Sequence, residues 1–248
     1  MRSLRPLIIM LGFLLLTLPL MPIQLLLRSN WLPQAYHRIL CRLLGINIVV
    51  EGHKPFSPAL LVSNHVSWLD IPVLSAVLPA SFIAKREVGR WPLFGWMAKL
   101  QASVFVNRES RNSTGPSRHE IADRLKSGDI LVLFPEGTSG DGNHVRGFKS
   151  SFFGAVYELD VPVIPVTIAY QAARNLPLTR RQRPTIAWYG DMELLPHLWV
   201  ALLQGPLAVT VCFHNALEPE PRKQMAQTAE NVVRQSLAEA LHGKAKIR

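Results

Sequence analysis

Apolar residues dominate Leu7 to Leu27, a run without a single charge, and Arg2, Arg5 and Arg28 bracket it. As a straight helix the run is roughly 30 Å long, enough to cross the hydrocarbon core of a bilayer. The chain then continues Arg28-Ser29-Asn30-Trp31, which offers no small-x-small cleavage pattern, so an anchor is expected rather than a cleaved signal. Pro19 and Pro22 are expected to break the helix near its end. Arginines on both sides give no clear orientation. Two forms are open, a single span or a re-entrant hairpin resting in one leaflet. Trp31 to Leu44 has Pro33 near its start and Gly45 after its end. It sets Ile39, Leu40, Leu43 and Leu44 against His37, Arg38 and Arg42, and reads as an interfacial amphipathic helix.

Past Gly45 the pattern changes to short apolar runs alternating with helical periods. Ile46 to Val50 and Ala59 to Val62 read as strands around a turn at Lys54-Pro55, followed by a helix from Trp68 to Leu78 that stops before Pro79. A strand is expected at Ser81 to Ala84, then two helical pieces within Lys85 to Leu100, then a strand at Ala102 to Val106. Trp91, Phe94, Trp96 and Met97 fit either an acyl groove or ordinary core packing. Ser117-Arg118-His119-Glu120 has the capping-box pattern and opens a helix through Leu125 that ends at Gly128. Asp129 to Phe134 is a buried strand and Lys149 to Leu159 a helix. Val161 to Ile168 is a strand whose prolines favour an edge or a bulge. Further strands are expected at Thr185 to Tyr189 and Leu207 to Phe213, with helices at Leu194 to Leu203 and Arg222 to Leu241. The fold class is α/β, a central mixed sheet flanked by helices behind a hydrophobic anchoring helix or hairpin. Residues 1–44 form the anchor and residues 45–248 a single domain.

Charge narrows the partners. The 248 residues carry a formal net charge of +10, which implies an anionic partner: nucleic acid, an anionic leaflet or an acidic carrier protein. Cys41 and Cys212 are far apart and lack a CxxC partner, which argues against a disulfide framework or a zinc site and fits a reducing, cytoplasm-facing location.

Two stretches carry candidate chemistry. Val62-Ser63-Asn64-His65-Val66-Ser67-Trp68-Leu69-Asp70 places a histidine in the loop after a strand and a carboxylate at a helix start. Asp70 can fold back to the imidazole, fix its tautomer and stabilise the imidazolium, which makes His65 a general base. Ser67-x-x-Asp70 also fits a helix cap, and the residues alone leave both readings open. In Phe134-Pro135-Glu136-Gly137-Thr138-Ser139-Gly140-Asp141-Gly142-Asn143 a buried strand ends in a glycine-rich loop. Its N–H groups suit an anion or a developing oxyanion, or the loop is a tight surface turn. Arg108, after Phe105-Val106-Asn107, is a solvated charge or a fork for a polar headgroup. No serine or cysteine nucleophile signature, P-loop, dinucleotide fingerprint or metal-ligand cluster is present. A base without a protein nucleophile implies direct attack by a substrate hydroxyl on an activated acyl group.

Together these pieces resemble the glycerolipid acyltransferase superfamily, typified by 1-acylglycerol-3-phosphate acyltransferases. His65-x4-Asp70, Phe105-Val106-Asn107-Arg108, Phe134-Pro135-Glu136-Gly137-Thr138 and Val161-Pro162-Val163-Ile164-Pro165-Val166 match its four blocks in order, within roughly residues 45 to 215. The resemblance implies that His65 deprotonates an acceptor hydroxyl, that Asp70 orients it, and that Arg108, Glu136, Gly137 and Thr138 bind the acceptor. Lys85 matches a further basic position near the active site, and Arg108, with Arg146 or Lys149, could bind a phosphate. The donor is an acyl thioester on acyl carrier protein or coenzyme A, with no other cofactor, no metal and no nucleic acid, and the enzyme works at the cytoplasmic face of the inner membrane on membrane lipids. One departure stands out. Where the third block usually continues with a phosphate-holding arginine, this chain has Ser139, which cannot supply a charged fork. That segment, with Trp188-Tyr189-Gly190-Asp191-Met192, resembles the lyso-ornithine lipid acyltransferase branch, and Asp141 suits a cationic ornithine headgroup. Lysophosphatidate remains the alternative acceptor. A non-enzymatic, basic membrane-surface adaptor built on Arg180, Arg181 and Arg183 is the alternative of a different class.

Overall fold

The structure is a computed structural model that describes residues 4–29, 31–56, 58–106, 114–156, 159–172, 176–179 and 181–242. Eight strands form one mixed sheet: β1 (Ile46–Glu51), β2 (Ala59–Ser63), β3 (Ala80–Lys85), β4 (Val104–Val106), β5 (Ile130–Leu133), β6 (Val163–Ala172), β7 (Leu176–Pro177) and β8 (Leu207–Phe213). Their order is β1-β8-β6-β2-β5-β3-β4, with β7 on β6. β2 runs parallel to both β5 and β6, whereas β6 and β8 are antiparallel. Strands buried on both faces need apolar residues at every position, as in Ala59-Leu60-Leu61-Val62 and Ile130-Leu131-Val132-Leu133. Ala59, Leu61, Ile130 and Val132 point into one core, and Leu60, Val62, Leu131 and Leu133 into the other.

Seven α-helices are described: α1 (Arg5–Leu27), α2 (Trp31–Leu44), α3 (Asp70–Val77), α4 (Phe94–Leu100), α5 (Thr114–Lys126), α6 (Leu194–Leu203) and α7 (Arg222–Leu241). Cys41 of α2 and Val73 and Leu74 of α3 join the first core. Leu125 of α5 and Met225, Ala229, Val233 and Leu237 of α7 join the second. The helical spacing of the apolar residues in α7 thus packs one stripe on the sheet.

α1 lies against the domain and is fastened along its length. Arg5 donates from Nη1 to the carbonyl of Leu202 (3.0 Å) and from Nη2 to that of Leu44 (2.8 Å). The Thr17 and Tyr36 hydroxyls are 2.9 Å apart, and Gln24 Nε2 donates to the Leu100 carbonyl at 3.2 Å. The helix continues through Pro19 and Pro22. Each proline removes one intrahelical donor, and the last turns are held instead by burial of Met21 and Gln24 and by the Gln24 hydrogen bonds. His37, expected on the polar face of α2, is buried and lies 3.3 Å from Gln101 Oε1.

Several expectations shift. β6 is a central strand and not an edge. The carbonyl of Pro165 accepts from His214 N, just beyond the end of β8. The missing proline N–H therefore faces a place where the β8 ladder has already stopped. α5 begins at Thr114, so the Ser117–Glu120 pattern lies inside the helix and does not open it. Residues 150–155 form 3-10 turns in place of an α-helix, and Arg183–Thr185 is another 3-10 turn where a strand was expected over Thr185 to Tyr189.

Candidate active site

β2 and β5 are parallel neighbours, so the loops that follow them meet at one edge of the sheet. Open α/β sheets bind ligands at the carboxyl ends of their strands. The first loop carries His65, and the second carries Phe134 to Asn143. Gly140 N–H donates to the His65 carbonyl (2.8 Å), and His65 N–H donates to Glu136 Oε1 (2.8 Å), which locks the loops together.

Asp70 is fully buried and accepts four hydrogen bonds. Oδ2 lies 2.7 Å from His65 Nδ1 and accepts from the N–H groups of Val66 (2.7 Å) and Ser67 (3.0 Å). Oδ1 accepts from the Tyr170 hydroxyl at 2.7 Å. With Nδ1 committed to the carboxylate, His65 Nε2 is left as the basic nitrogen. The ring stacks on Phe134 at 4.1 Å between centroids and remains 20% exposed. Asp70 meets the imidazole and also makes half of the capping-box contacts. It accepts the Ser67 N–H as a cap partner does, but the Ser67 hydroxyl makes no returning bond, and Asp70 N–H donates to the Ser67 carbonyl. Tyr170 is the residue that the sequence pattern did not single out. It shares a face of β6 with Val166 and Ile168, so period-two counting points it into the first core. Burial, followed by the nearby Asp70 charge, holds its phenol well above the usual range, so it acts as a donor.

His65 forms part of the wall of a mostly apolar cavity of about 730 Å³. The cavity also meets Lys85, Gly137, Thr138 and Ser139, together with Trp68, Trp91, Trp188 and residues of α1, α2, α4 and α6. Trp91, Phe94 and Met97 line it, whereas Trp96 points to the outside. Ser139 donates its hydroxyl to the carbonyl of Trp188, whose N–H in turn donates to Val66. This strap over the site falls in the segment that sequence periodicity assigned to a strand.

Other expected site residues stand behind the wall. Glu136 is buried, and its two oxygens accept from His65 N–H and from Arg146 N–H (3.0 Å), so it braces the loop that carries His65. Burial pushes its carboxyl up to about 7, against the lowering effect of those two N–H groups. Asp141 is held by Asn143, accepting from its N–H at 2.9 Å and its Nδ2 at 2.8 Å, and borders a separate small pocket with Tyr170 and Arg183. Burial raises the Asp141 carboxyl, but the Asn143 hydrogen bonds outweigh it and the net shift is downward. Lys149 is exposed and donates its N–H to the Pro135 carbonyl. Gly137 N–H donates to the Phe134 carbonyl, so this N–H and that of Gly140 hold the loop's own shape. Arg108 lies outside the described residues.

Comparison with known proteins gives a consistent picture. The family model described as "Acyltransferase" matches residues 47–169. The lyso-ornithine lipid O-acyltransferase of Brucella abortus (strain 2308) is 45% identical, over 92% of this chain and 92% of that protein. The protein of the same name from Rhizobium meliloti (strain 1021) is 41% identical, over 93% of this chain and 85% of the relative. The 1-acyl-sn-glycerol-3-phosphate acyltransferase of Neisseria gonorrhoeae is 32% identical, over 79% and 76%. Among solved structures, the 1-acyl-sn-glycerophosphate (LPA) acyltransferase of Thermotoga maritima superposes with a TM-score of 0.67 at 22% identity, covering 100% of both chains. At that identity the likeness concerns the fold.

Proposed function

The chain belongs to the acyltransferase family, and from that premise we propose that it transfers a fatty acyl group from an acyl thioester to the hydroxyl of lyso-ornithine lipid. The observation that carries the mechanism is the 2.7 Å contact between His65 Nδ1 and a fully buried Asp70, in the wall of an apolar cavity. Nε2 takes the proton as the acceptor oxygen attacks the thioester carbonyl. The tetrahedral intermediate then collapses, the C–S bond breaks, and the departing sulfur receives the proton from Nε2. Asp70 stays ionised and stabilises the transient imidazolium. The thioester is carried by acyl carrier protein or coenzyme A, whose acidic character suits a chain of net charge +10.

Two observations favour ornithine over phosphate. Position 139 offers a hydroxyl already given to Trp188, with no fixed cation there, and the relatives at 41% and 45% identity bear the lyso-ornithine name. Lys85 on the cavity wall supports the second reading, a 1-acyl-sn-glycerol-3-phosphate acyltransferase, as does the Neisseria relative. Residues 1–44 serve as the anchor of a catalytic domain at 45–248, on the cytoplasmic face of the inner membrane. The apolar α1 and two free cysteines support this. The test presents both lysolipids, with acyl carrier protein and coenzyme A thioesters in turn. Acylation of lyso-ornithine lipid by the native chain and its loss in His65→Ala are expected. Preference for lysophosphatidate overturns the acceptor, and full turnover in His65→Ala overturns the mechanism.

A further inference from the structure

α6 is a ten-residue helix, Leu-Leu-Pro-His-Leu-Trp-Val-Ala-Leu-Leu, without a charge. An ordinary surface helix turns charged or polar residues outward. α6 does the reverse. Its polar residue, His197, is buried, accepting from Trp68 Nε1 at 3.1 Å, while Leu195 is 71% exposed and Trp199 44% exposed, with Val200 and Leu203 beside them. This outward face adjoins the bare apolar side of α1, because Arg5 of α1 is bonded to the Leu202 carbonyl at the end of α6. At the other end of α1, Gln24 is bonded to the end of α4, whose Trp96 is 46% exposed. Trp31 at the start of α2 is likewise exposed. Three outward tryptophans therefore surround an apolar helix, the arrangement that a bilayer interface favours. An apolar area of this extent is not left in water by a stable soluble monomer.

We propose that α6 is a second membrane-inserted element, entering the same leaflet as α1 through Leu195, Trp199, Val200 and Leu203. This rests on the reading of α1 as a membrane anchor. The occupant is a lipid surface because the face is continuous with α1 and because the reverse side of the same helix bounds the cavity. Leu194, Leu195, Leu198 and Leu202 line it together with Ile9 and Phe13 of α1. Leu195 lies on both sides of that boundary, exposed outside and part of the cavity wall. The seam between α1 and α6 thus stands at membrane level, where a lysolipid passes sideways between leaflet and cavity. His197 transmits the position of α6 to Trp68, within the His65–Asp70 segment.

The test uses the full chain in a Cys41→Ala, Cys212→Ser background with vesicles of phosphatidylethanolamine and phosphatidylglycerol. Single cysteines carry an environment-sensitive fluorophore at Trp199→Cys on α6, Leu15→Cys on α1 and Gln235→Cys on the outer side of α7. Acyl-chain quenchers are expected to quench the labels at 199 and 15 and to leave 235 bright. Quenching at 15 without quenching at 199 overturns the proposal and leaves the α1 anchor standing. Failure to bind the vesicles overturns both. A Leu195→Glu, Trp199→Glu chain that keeps its native circular dichroism is expected to lose at least fivefold in vesicle affinity, and unchanged affinity counts against α6.

Discussion

Tyr170→Phe removes one oxygen and leaves the ring in place. The aromatic ring keeps its packing in the first core, so no cavity forms and the packing cost is close to zero. What is lost is the 2.7 Å hydrogen bond to Asp70 Oδ1, an oxygen on a fully buried carboxylate whose other three partners all lie on Oδ2. A hydrogen bond to a charged group contributes about 1.5–3 kcal/mol, and the orphaned oxygen belongs to a carboxylate with no solvent exposure. If the carboxylate turns to find a donor, Oδ2 swings away from His65 and the base loses its fixed orientation. The expected result is a kcat lowered by about 10- to 100-fold, near the rate equivalent of that energy, with KM for the acceptor little changed. Thermal midpoint falls by about 3–10 °C. Steady-state kinetics and calorimetry measure both, and proton NMR adds a specific signature, since the downfield resonance of the His65–Asp70 proton is expected to move. A kcat within twofold of native together with an unmoved resonance refutes the positioning role, whatever happens to the midpoint.

Asp70→Asn, which keeps the shape but not the charge that stabilises the imidazolium, is expected to lower kcat by about 10³- to 10⁴-fold in the acylation assay; a loss below tenfold refutes the orienting role. Glu136 gives a pH signature. Its folded carboxyl is held up to about 7 against an ordinary value of 4.5, so between those values the folded chain keeps a proton that the unfolded chain has released. Stability therefore falls as pH rises through that window, by about 3 kcal/mol in total. Glu136→Gln does not titrate, so its denaturation midpoint is expected to vary less across the window, and equal slopes refute the assignment. Gly142→Ala meets both a positive φ of 74° and Val66 Cγ1 3.0 Å from the new Cβ. It is expected to cost about 1–2 kcal/mol in chemical denaturation and to lower turnover by shifting Val66, whose N–H holds Asp70; native stability refutes this.

Much of the candidate pair was legible because it is local. Five residues separate His65 from Asp70, and a strand end followed by a helix start leaves few ways to arrange them. The continuous apolar runs of β2 and β5 were equally legible, since burial on both faces writes itself into every position. The partners of that pair were not. Tyr170 is 100 residues from Asp70, and Glu136 is 71 from His65. Their contacts exist because β2 lies between β5 and β6, an order that no short-range period encodes. Glu136 was expected to bind the acceptor, but its two oxygens turn toward backbone N–H groups and not toward the cavity.

The anchor divides in the same way. Hydropathy by itself determined that Leu7 to Leu27 is an apolar run long enough to cross a bilayer, because transfer free energy is additive along a segment, whereas its course as one helix through Pro19 and Pro22 came from the structure. Whether that helix stands away from the domain or lies against it depends on Arg5, Thr17 and Gln24 finding hydrogen-bond partners on α2, α4 and α6. The sequence thus determined the candidate histidine–carboxylate pair and the apolar segment before the domain. Only the tertiary structure decided what holds the base in place and which way the apolar faces of α1 and α6 turn, because hydrogen bonds between distant elements form only where the sheet has already brought those elements together.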